Sequence, residues 1–414
     1  MVEIVAPGWS YKKAMIAARF GADAIYVWVP FLSLRMRQNK IKDFETLKKT
    51  IKDIHAMWKK AYLTINIFPR NTDIKLIEMT IEQIQDLWAD AVIFSDPWVF
   101  MILKKYLKDK IRYHLSTQTN TLDSLAVQFW ADQWVDRVVL ARELAIKEIL
   151  EIKKAVPHIQ LEAFVHGAMC MTYSWRCLLW EYFSWRDGNK WECSHVCRYK
   201  FNVYLEEEKR PWKYFKVEED DTGSFLLSSK DLCTIEHWQE LFEAIDAWKI
   251  EWRSKSEFYV WSVTKAYSHL RDSMMMWENP NKEILDLVYD IPHRQYWDGF
   301  LFNNIRTAPD GEQDCQVQTT TKTSAWPITG KQYIWTTSWK SFEENWKTYY
   351  EIDPKYNIFV WDKFDILDKS WIWHKITINW ILGENKQEVE KLTCNNKKVF
   401  ITWKNLASWN ILVK

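Results

Sequence analysis

Eight short runs rich in β-branched and aromatic residues, separated by helical stretches, occupy the first 270 residues and leave few folds open. They are Glu3 to Pro7, Ala24 to Val29, Ala61 to Phe68, Ala91 to Ser95, Tyr113 to Thr117, Arg137 to Leu140, Leu161 to Val165 and Trp248 to Glu251. Between them apolar residues recur in steps of three and four, as in Phe44, Leu47, Ile51, Ile54 and in Ile74, Ile77, Ile81, Ile84, Leu87. That spacing puts them on one face of a helix. Asp73 reads as the N-cap of the second helix, because a short carboxylate there can accept from the first free N–H groups. Eight such units, the last closing with a helix near Glu257 to Arg271, predict a (β/α)8, TIM-like barrel with its active site at the C-terminal ends of the strands. A doubly wound open sheet is the alternative.

The repeat breaks after the seventh run. Residues 167–239 form an insertion expected to overhang the barrel mouth, and it carries five of the seven cysteines: Cys170, Cys177, Cys193, Cys197 and Cys233. The barrel with this insertion is expected over 1–275 and a connecting segment over 276–325. Short aromatic and β-branched runs over 326–414 predict a small C-terminal all-β domain, a barrel or a sandwich.

With 56 Lys and Arg against 55 Asp and Glu, the net charge is +1, so contact with a nucleic acid must come from a local patch. Lys104, Lys105, Lys108 and Lys110 read as the wet face of a helix, and Glu218 to Asp221 as a solvated loop. Met1 to Pro7 shows no basic stretch followed by an apolar one, and the long apolar runs are broken by charges. No membrane span is expected, and the cytoplasm is the expected location. Thiols stay reduced there, so the clustered cysteines point to a metal or redox site more than to disulfides. Their spacing, with six residues between Cys170 and Cys177, fifteen to Cys193 and three to Cys197, matches neither a zinc ribbon nor a ferredoxin run. An iron-sulfur cluster, a zinc site and inert thiols all remain open.

In a barrel the strand ends gather Asn66, Asp96, Gln118, Arg142, Glu143, His166, Glu251 and Arg253 on one face. His166 is the best candidate for proton transfer, since imidazole donates and accepts near neutral pH. Arg142 and Arg253 suit bidentate binding of a carboxylate or phosphate, with Glu143 and Glu251 as partners. Each of these residues has a purely structural alternative, an ion pair or a loop-closing hydrogen bond. Neither a G-x-S-x-G elbow nor an H-E-x-x-H helix occurs, and Cys170 with His166 makes only a weak dyad.

One part of the composition conflicts with any ordinary fold: 28 Trp stand against 9 Gly. A chain of this length would ordinarily hold roughly 29 Gly. Trp also recurs in turn-like contexts, such as Pro7-Gly8-Trp9-Ser10 and Ser184-Trp185-Arg186, where a residue tolerant of positive φ is wanted.

The stretch Glu162-Ala-Phe-Val-His166-Gly167-Ala-Met-Cys170-Met-Thr-Tyr-Ser174-Trp175-Arg176-Cys177 resembles the signature of the collagenase-like peptidase family U32, in which Gly stands at the place of Trp175. Gly21-Ala-Asp-Ala24, Ser116-Thr-Gln118, Arg137 to Leu144, Lys249-Ile-Glu-Trp-Arg253 and His293-Arg294 extend the similarity. Val217 to Asp220 and Ser229 to Cys233 are most similar to the tRNA hydroxylation branch. The resemblance implies an iron-sulfur enzyme acting on the wobble uridine of tRNA, with prephenate as cosubstrate. It implies a cluster, 4Fe-4S in type, on Cys170, Cys177, Cys193 and Cys233, with Cys197 in reserve. It adds Glu162 to Arg142, Glu143, His166 and Arg253 as catalytic candidates, and makes Asn66, Gln118, Arg176 and Glu251 substrate contacts. Peptide hydrolysis, or an RNA-binding or assembly factor with a structural cluster, are the alternatives. Trp9, Trp28, Trp58, Trp88, Trp98, Trp134, Trp175, Trp185, Trp191, Trp212, Trp252 and Trp361 stand where such relatives carry Gly. One substitution type recurring at one residue type suggests a gene in which UGA encodes glycine.

Overall fold

The computed structural model describes residues 2–30, 32, 39–170, 230–251, 256–293 and 296–302, together with strand backbones between 333 and 413. The chain divides into two compact units: 1–255 with 260–288 and 293–328, and 256–259 with 289–292 and 329–414.

In the first unit, β1 (Glu3–Pro7), β2 (Ala24–Trp28), β3 (Lys60–Ile65), β4 (Ala91–Phe94), β5 (Arg112–Leu115), β6 (Arg137–Val139) and β7 (Gln160–Ala168) pair in parallel, each with the next. A later strand, β9 (Ala247–Ile250), pairs in parallel with both β7 and β1 and closes an eight-stranded barrel. This is the TIM-like fold expected from the alternation, and the open-sheet alternative is excluded by the closure.

Helices α1 (Tyr11–Arg19), α2 (Phe44–Ala56), α3 (Asn71–Gln85), α4 (Pro97–Leu107), α5 (Ser124–Asp132) and α6 (Ile146–Ala155) fill the connections. Capping residues start most of them. Ser10 accepts from the Lys13 N–H, Asp43 from Thr46, Asp96 from Trp98 and Val99, and Asp123 from Ala126. Removing such a cap costs about 1 kcal/mol. Asp73 is not a cap. Helix α3 begins three residues earlier than expected, so Asp73 lies in its first turn and accepts from the Arg70 N–H at 2.8 Å. The carboxylate still serves the helix N-terminus, from inside it.

The seventh strand does not end at Val165 as the apolar run suggested. It runs on through Gly167 and Ala168 because β8 (Asp231–Cys233) lies antiparallel beside it, with His166 opposite Cys233 and Ala168 opposite Asp231. Next come β8, α7 (Trp238–Ala244) and, after β9, α8 (Glu257–Met275), which outruns the expected Arg271 by one turn. A short β10 (Tyr296–Trp297) pairs in parallel with β8. Residues 171–229, most of the insertion, lie outside the described residues. In the second unit the strand backbones form a seven-stranded antiparallel sheet and a separate two-stranded pair. No described helix is long and apolar enough to cross a membrane.

Six non-glycine residues have positive φ among the described residues, and four of them are tryptophans: Trp58 (59°), Trp88 (54°), Trp134 (67°) and Trp277 (58°). Each follows a helix C-terminus. Trp58 N–H donates to the His55 carbonyl and Lys59 N–H to Ile54, closing α2 as a Schellman motif. Trp134 and Val135 close α5 on Ala131 and Trp130 in the same way, and Trp277 and Glu278 close α8 on Met274 and Ser273. This left-handed position is the one glycine ordinarily holds. The side chains gain nothing in return, since all four indoles are 78–96% exposed.

Candidate active site at the barrel mouth

Inside the barrel the side chains form a charged chain where apolar layers are more usual. Glu3 on β1 accepts from Lys60 (2.6 Å) and Tyr62 (2.6 Å) on β3 and from Arg137 (2.8 Å) on β6. The same Arg137 nitrogen reaches Glu162 on β7 at 3.0 Å, and the other Glu162 oxygen accepts from Lys249 on β9. Burial alone would raise the Glu3 carboxyl, but the Arg137 charge and the three donors outweigh it and leave the pKa at about 2. Burial lowers the Arg137 guanidinium, and Glu162 and Glu3 more than reverse that. Breaking a buried pair by removing one partner is costly, so these contacts fix side-chain positions more surely than they add stability.

Beside this chain, His114 is 1% exposed and packs edge-on against Tyr62 at 4.7 Å. Burial and the nearby Arg137 and Lys249 charges hold it neutral, well below its ordinary value. Both groups make the fold acid-sensitive, in separate windows. His114 can take up a proton only on unfolding, so stability is expected to fall as pH drops below about 6.5. Glu3 contributes above its unfolded value near 4.5, and that contribution is lost as pH falls toward 2. The Glu3 loss is on the order of a few kcal/mol. Urea unfolding across these ranges measures both, and His114→Gln should flatten the upper window alone. A wild-type stability constant through the upper window would contradict the buried neutral imidazole.

Above the chain, at the C-terminal ends of the strands, a cavity of about 50 Å³ is lined by Tyr26, Trp28, Thr64, Asn66, Phe164, Lys249 and Glu251, among others. Arg142 backs two of these lining residues, donating to Glu251 at 2.5 Å and holding its guanidinium 3.9 Å from the Phe164 ring centre, and also donates to the Ala168 carbonyl at 2.7 Å. Arg142 and Glu251, two of the residues singled out from the sequence, therefore form one ion pair. Burial raises the Glu143 carboxyl, which Arg142 only partly offsets. Its Oε2 has no hydrogen-bond partner among the described residues, nor do Asn66 Oδ1, Ser95 Oγ, Gln118 Nε2 and Arg142 Nε. Buried polar groups are nearly always satisfied, and five orphans from four neighbouring strand ends mark where a polar ligand belongs.

Not every residue expected at the mouth faces it. Asp96 is spent on the α4 cap. Glu162 is fully buried below the cavity, its two oxygens held by Arg137 and Lys249. His166 follows a bulge, since the β7–β9 register shifts between Phe164 and His166. A bulge rotates the residues beyond it. The imidazole lies between Tyr267 and Tyr296, each hydroxyl 3.5 Å from a ring nitrogen. Both hydroxyls give their protons to carbonyls, Tyr267 to Val165 and Tyr296 to Val288, and so turn oxygen lone pairs toward the ring. Lys249 was not singled out from the sequence. It stands two residues before Glu251 and so shares its face of the strand, which alternation alone could have shown. Arg176, Arg253, Cys177, Cys193 and Cys197 lie outside the described residues.

Of the five clustered cysteines, Cys233 ends β8 opposite His166, and Cys170 lies two residues beyond the end of β7, past the Ala168–Asp231 end of the same antiparallel pair. Burial pushes the Cys233 thiol up to about 12, which makes it a neutral thiol unless a metal holds it as thiolate. Among the described residues no three His, Cys, Asp or Glu side chains converge on a metal position. The donor type suits iron-sulfur ligation, with two of the sulfurs described.

The family model described as Peptidase family U32 matches residues 9–309. The chain is 32% identical over 337 residues to "tRNA hydroxylation protein P" of Escherichia coli, a match spanning 72% of this chain and 74% of that one. To the protein of the same name from Helicobacter pylori it is 40% identical over 268 residues, 64% of this chain and 63% of the relative. A solved structure of a U32 peptidase aligns with 62% of this chain and 94% of its own, at 14% identity and a TM-score of 0.41.

Proposed function

The chain belongs to peptidase family U32, and from that premise we propose that it is a tRNA-hydroxylating enzyme acting on the wobble uridine, with an iron-sulfur cluster and prephenate as cosubstrate. The observation that carries this reading is the 32% identity to a tRNA hydroxylation protein across nearly three quarters of both chains. Cys170, Cys177, Cys193 and Cys233 would hold the cluster, with Cys197 in reserve. When bound it supplies one-electron chemistry at the mouth. The protein's own residues bind and orient. The Arg142–Glu251 pair fixes one wall, Asn66 and Gln118 offer unpaired amide atoms, and Arg176 and Arg253 are further contacts. Glu143, with its raised carboxyl, and His166, between two tyrosine oxygens, are the groups able to hold or pass a proton. A tRNA substrate places the work in the cytoplasm.

Peptide hydrolysis fits the site less well. A cysteine protease needs an imidazole turned toward its thiol, and both His166 nitrogens face tyrosine hydroxyls. Supplying this gene to a bacterium deleted for its own hydroxylase should restore 5-hydroxylated wobble uridine in tRNA digests, read by mass spectrometry. An unchanged nucleoside profile with soluble, iron-loaded protein would defeat the tRNA assignment. Casein cleavage that survives replacement of the cysteines would favour the peptidase.

A further inference from the structure

We propose that Lys249 is the anion anchor of the barrel, and that Glu162, Arg137 and Glu3 are the positioning residues that hold its ammonium at the cavity floor. Lys249 is 5% exposed, yet it lines the cavity. An ammonium has three protons to give. One goes to Glu162, and no other hydrogen-bond acceptor meets it among the described residues. Two donors therefore remain on a charged, desolvated nitrogen that lines the cavity, and an unsatisfied buried charge is costly.

Glu162 cannot supply what is missing. Its other oxygen is committed to Arg137, whose own reach to Glu3 is backed by Lys60 and Tyr62. The relay of alternating charges thus runs from the N-terminal strand ends to the cavity and locks the ammonium in one place. The walls beside it are aromatic: the Tyr26 and Phe164 ring centres lie 4.9 and 5.7 Å from Nζ. Ring faces strengthen a cation's position but accept no strong hydrogen bond. What completes the site is an anionic oxygen, from a carboxylate or a phosphate, on a ligand whose inserted part is small. A cavity of about 50 Å³ holds a few water-sized groups. That is room for one acid group with a short stem.

The inference goes beyond the tRNA reading and is testable without RNA. Malonate and inorganic phosphate, titrated separately into the full-length protein by calorimetry, are the probes. At least one should bind, and Lys249→Met should weaken it by about tenfold or more, as expected for losing a charged hydrogen bond. Lys249→Arg should recover part of the affinity, a rescue that a merely structural lysine would not show for ligand binding. Glu162→Gln should weaken binding less than Lys249→Met, and Glu162→Asp less still. Should Lys249→Met fail to fold with Glu162 left half-paired, Lys249→Met/Glu162→Gln removes both charges and is compared with Glu162→Gln alone. Preference for malonate assigns a carboxylate, and preference for phosphate a phosphoryl group. No binding of either probe to the wild type, or equal binding by wild type and Lys249→Met, would overturn the proposal.

Discussion

Replacing Trp58, Trp88, Trp134 and Trp277 together by glycine is expected to stabilise the protein strongly, although it deletes four of the largest side chains in the chain. An L-residue with a bulky side chain in the left-handed region costs about 1–2 kcal/mol. The four sites end separate helices, so their contributions should add to about 4–8 kcal/mol. Thermal unfolding would show this as a rise on the order of 10 °C. The indoles oppose the gain weakly, being 78–96% exposed. Trp248 and Trp261 are the opposite case. They are 0% and 1% exposed, and glycine there should cost about 3–5 kcal/mol by opening a cavity. The sign of the effect thus separates two classes of tryptophan in one chain. We propose that the first class is glycine in the protein as its own cell makes it, through UGA codons read as glycine. UGG codons at these four positions would sink that idea, as would a native protein whose intact mass requires 28 tryptophans. Trp28 gives the question a functional side, because its indole stands in the wall of the cavity. Glycine at that position would widen the site.

The barrel was legible because its signal is repeated. Each strand and helix face carries its own period, and every predicted strand overlaps an observed one. Where a single contact across the chain decides the structure, the sequence is silent. β8 is three residues long, too short to show alternation, and exists because β7 offers it an edge. The bulge before His166 is likewise a property of the pairing with β9. It takes a histidine that alternation puts beside Glu162 and Phe164 and turns it to Tyr267 and Tyr296. Glu162 was a catalytic candidate by resemblance, and the partners that hold its two oxygens come from β6 and β9, 25 and 87 residues away. The Arg142–Glu251 pair spans 109 residues; the sequence offered Glu143 and Glu251 as partners for Arg142 and Arg253, and only the barrel closure decides that Glu251 meets Arg142. Trp277, absent from the glycine-like positions recognised by resemblance, was exposed only by its backbone angle.

Single replacement of Cys170, Cys177, Cys193 or Cys233 by alanine is expected to strip most of the iron from anaerobically purified protein, with loss of its visible absorption and of tRNA hydroxylation. Cluster thiolates act as a unit, so losing one ligand costs far more than a quarter of the metal. Cys315 and Cys394 lie outside the insertion and should be dispensable. Cys233 is the most exacting of the four, because its replacement also touches a buried contact with Tyr267. Cys233→Ser nearly keeps the volume and puts a hydroxyl in place of the thiol to meet Tyr267, so iron loss in that variant at unchanged melting temperature would separate ligation from packing. Cys197, four positions beyond Cys193, can take over if the loop rearranges. Its replacement alone should have a small effect, and its combination with Cys193→Ala a larger one than either. Near-normal iron in both Cys170→Ala and Cys233→Ala would refute this ligand set. Purified protein holding zinc on four sulfurs would turn the site from redox chemistry to a structural metal. In that case the orphaned polar groups at the mouth, Glu143 and Gln118 among them, would have to carry the reaction without a metal's electrons.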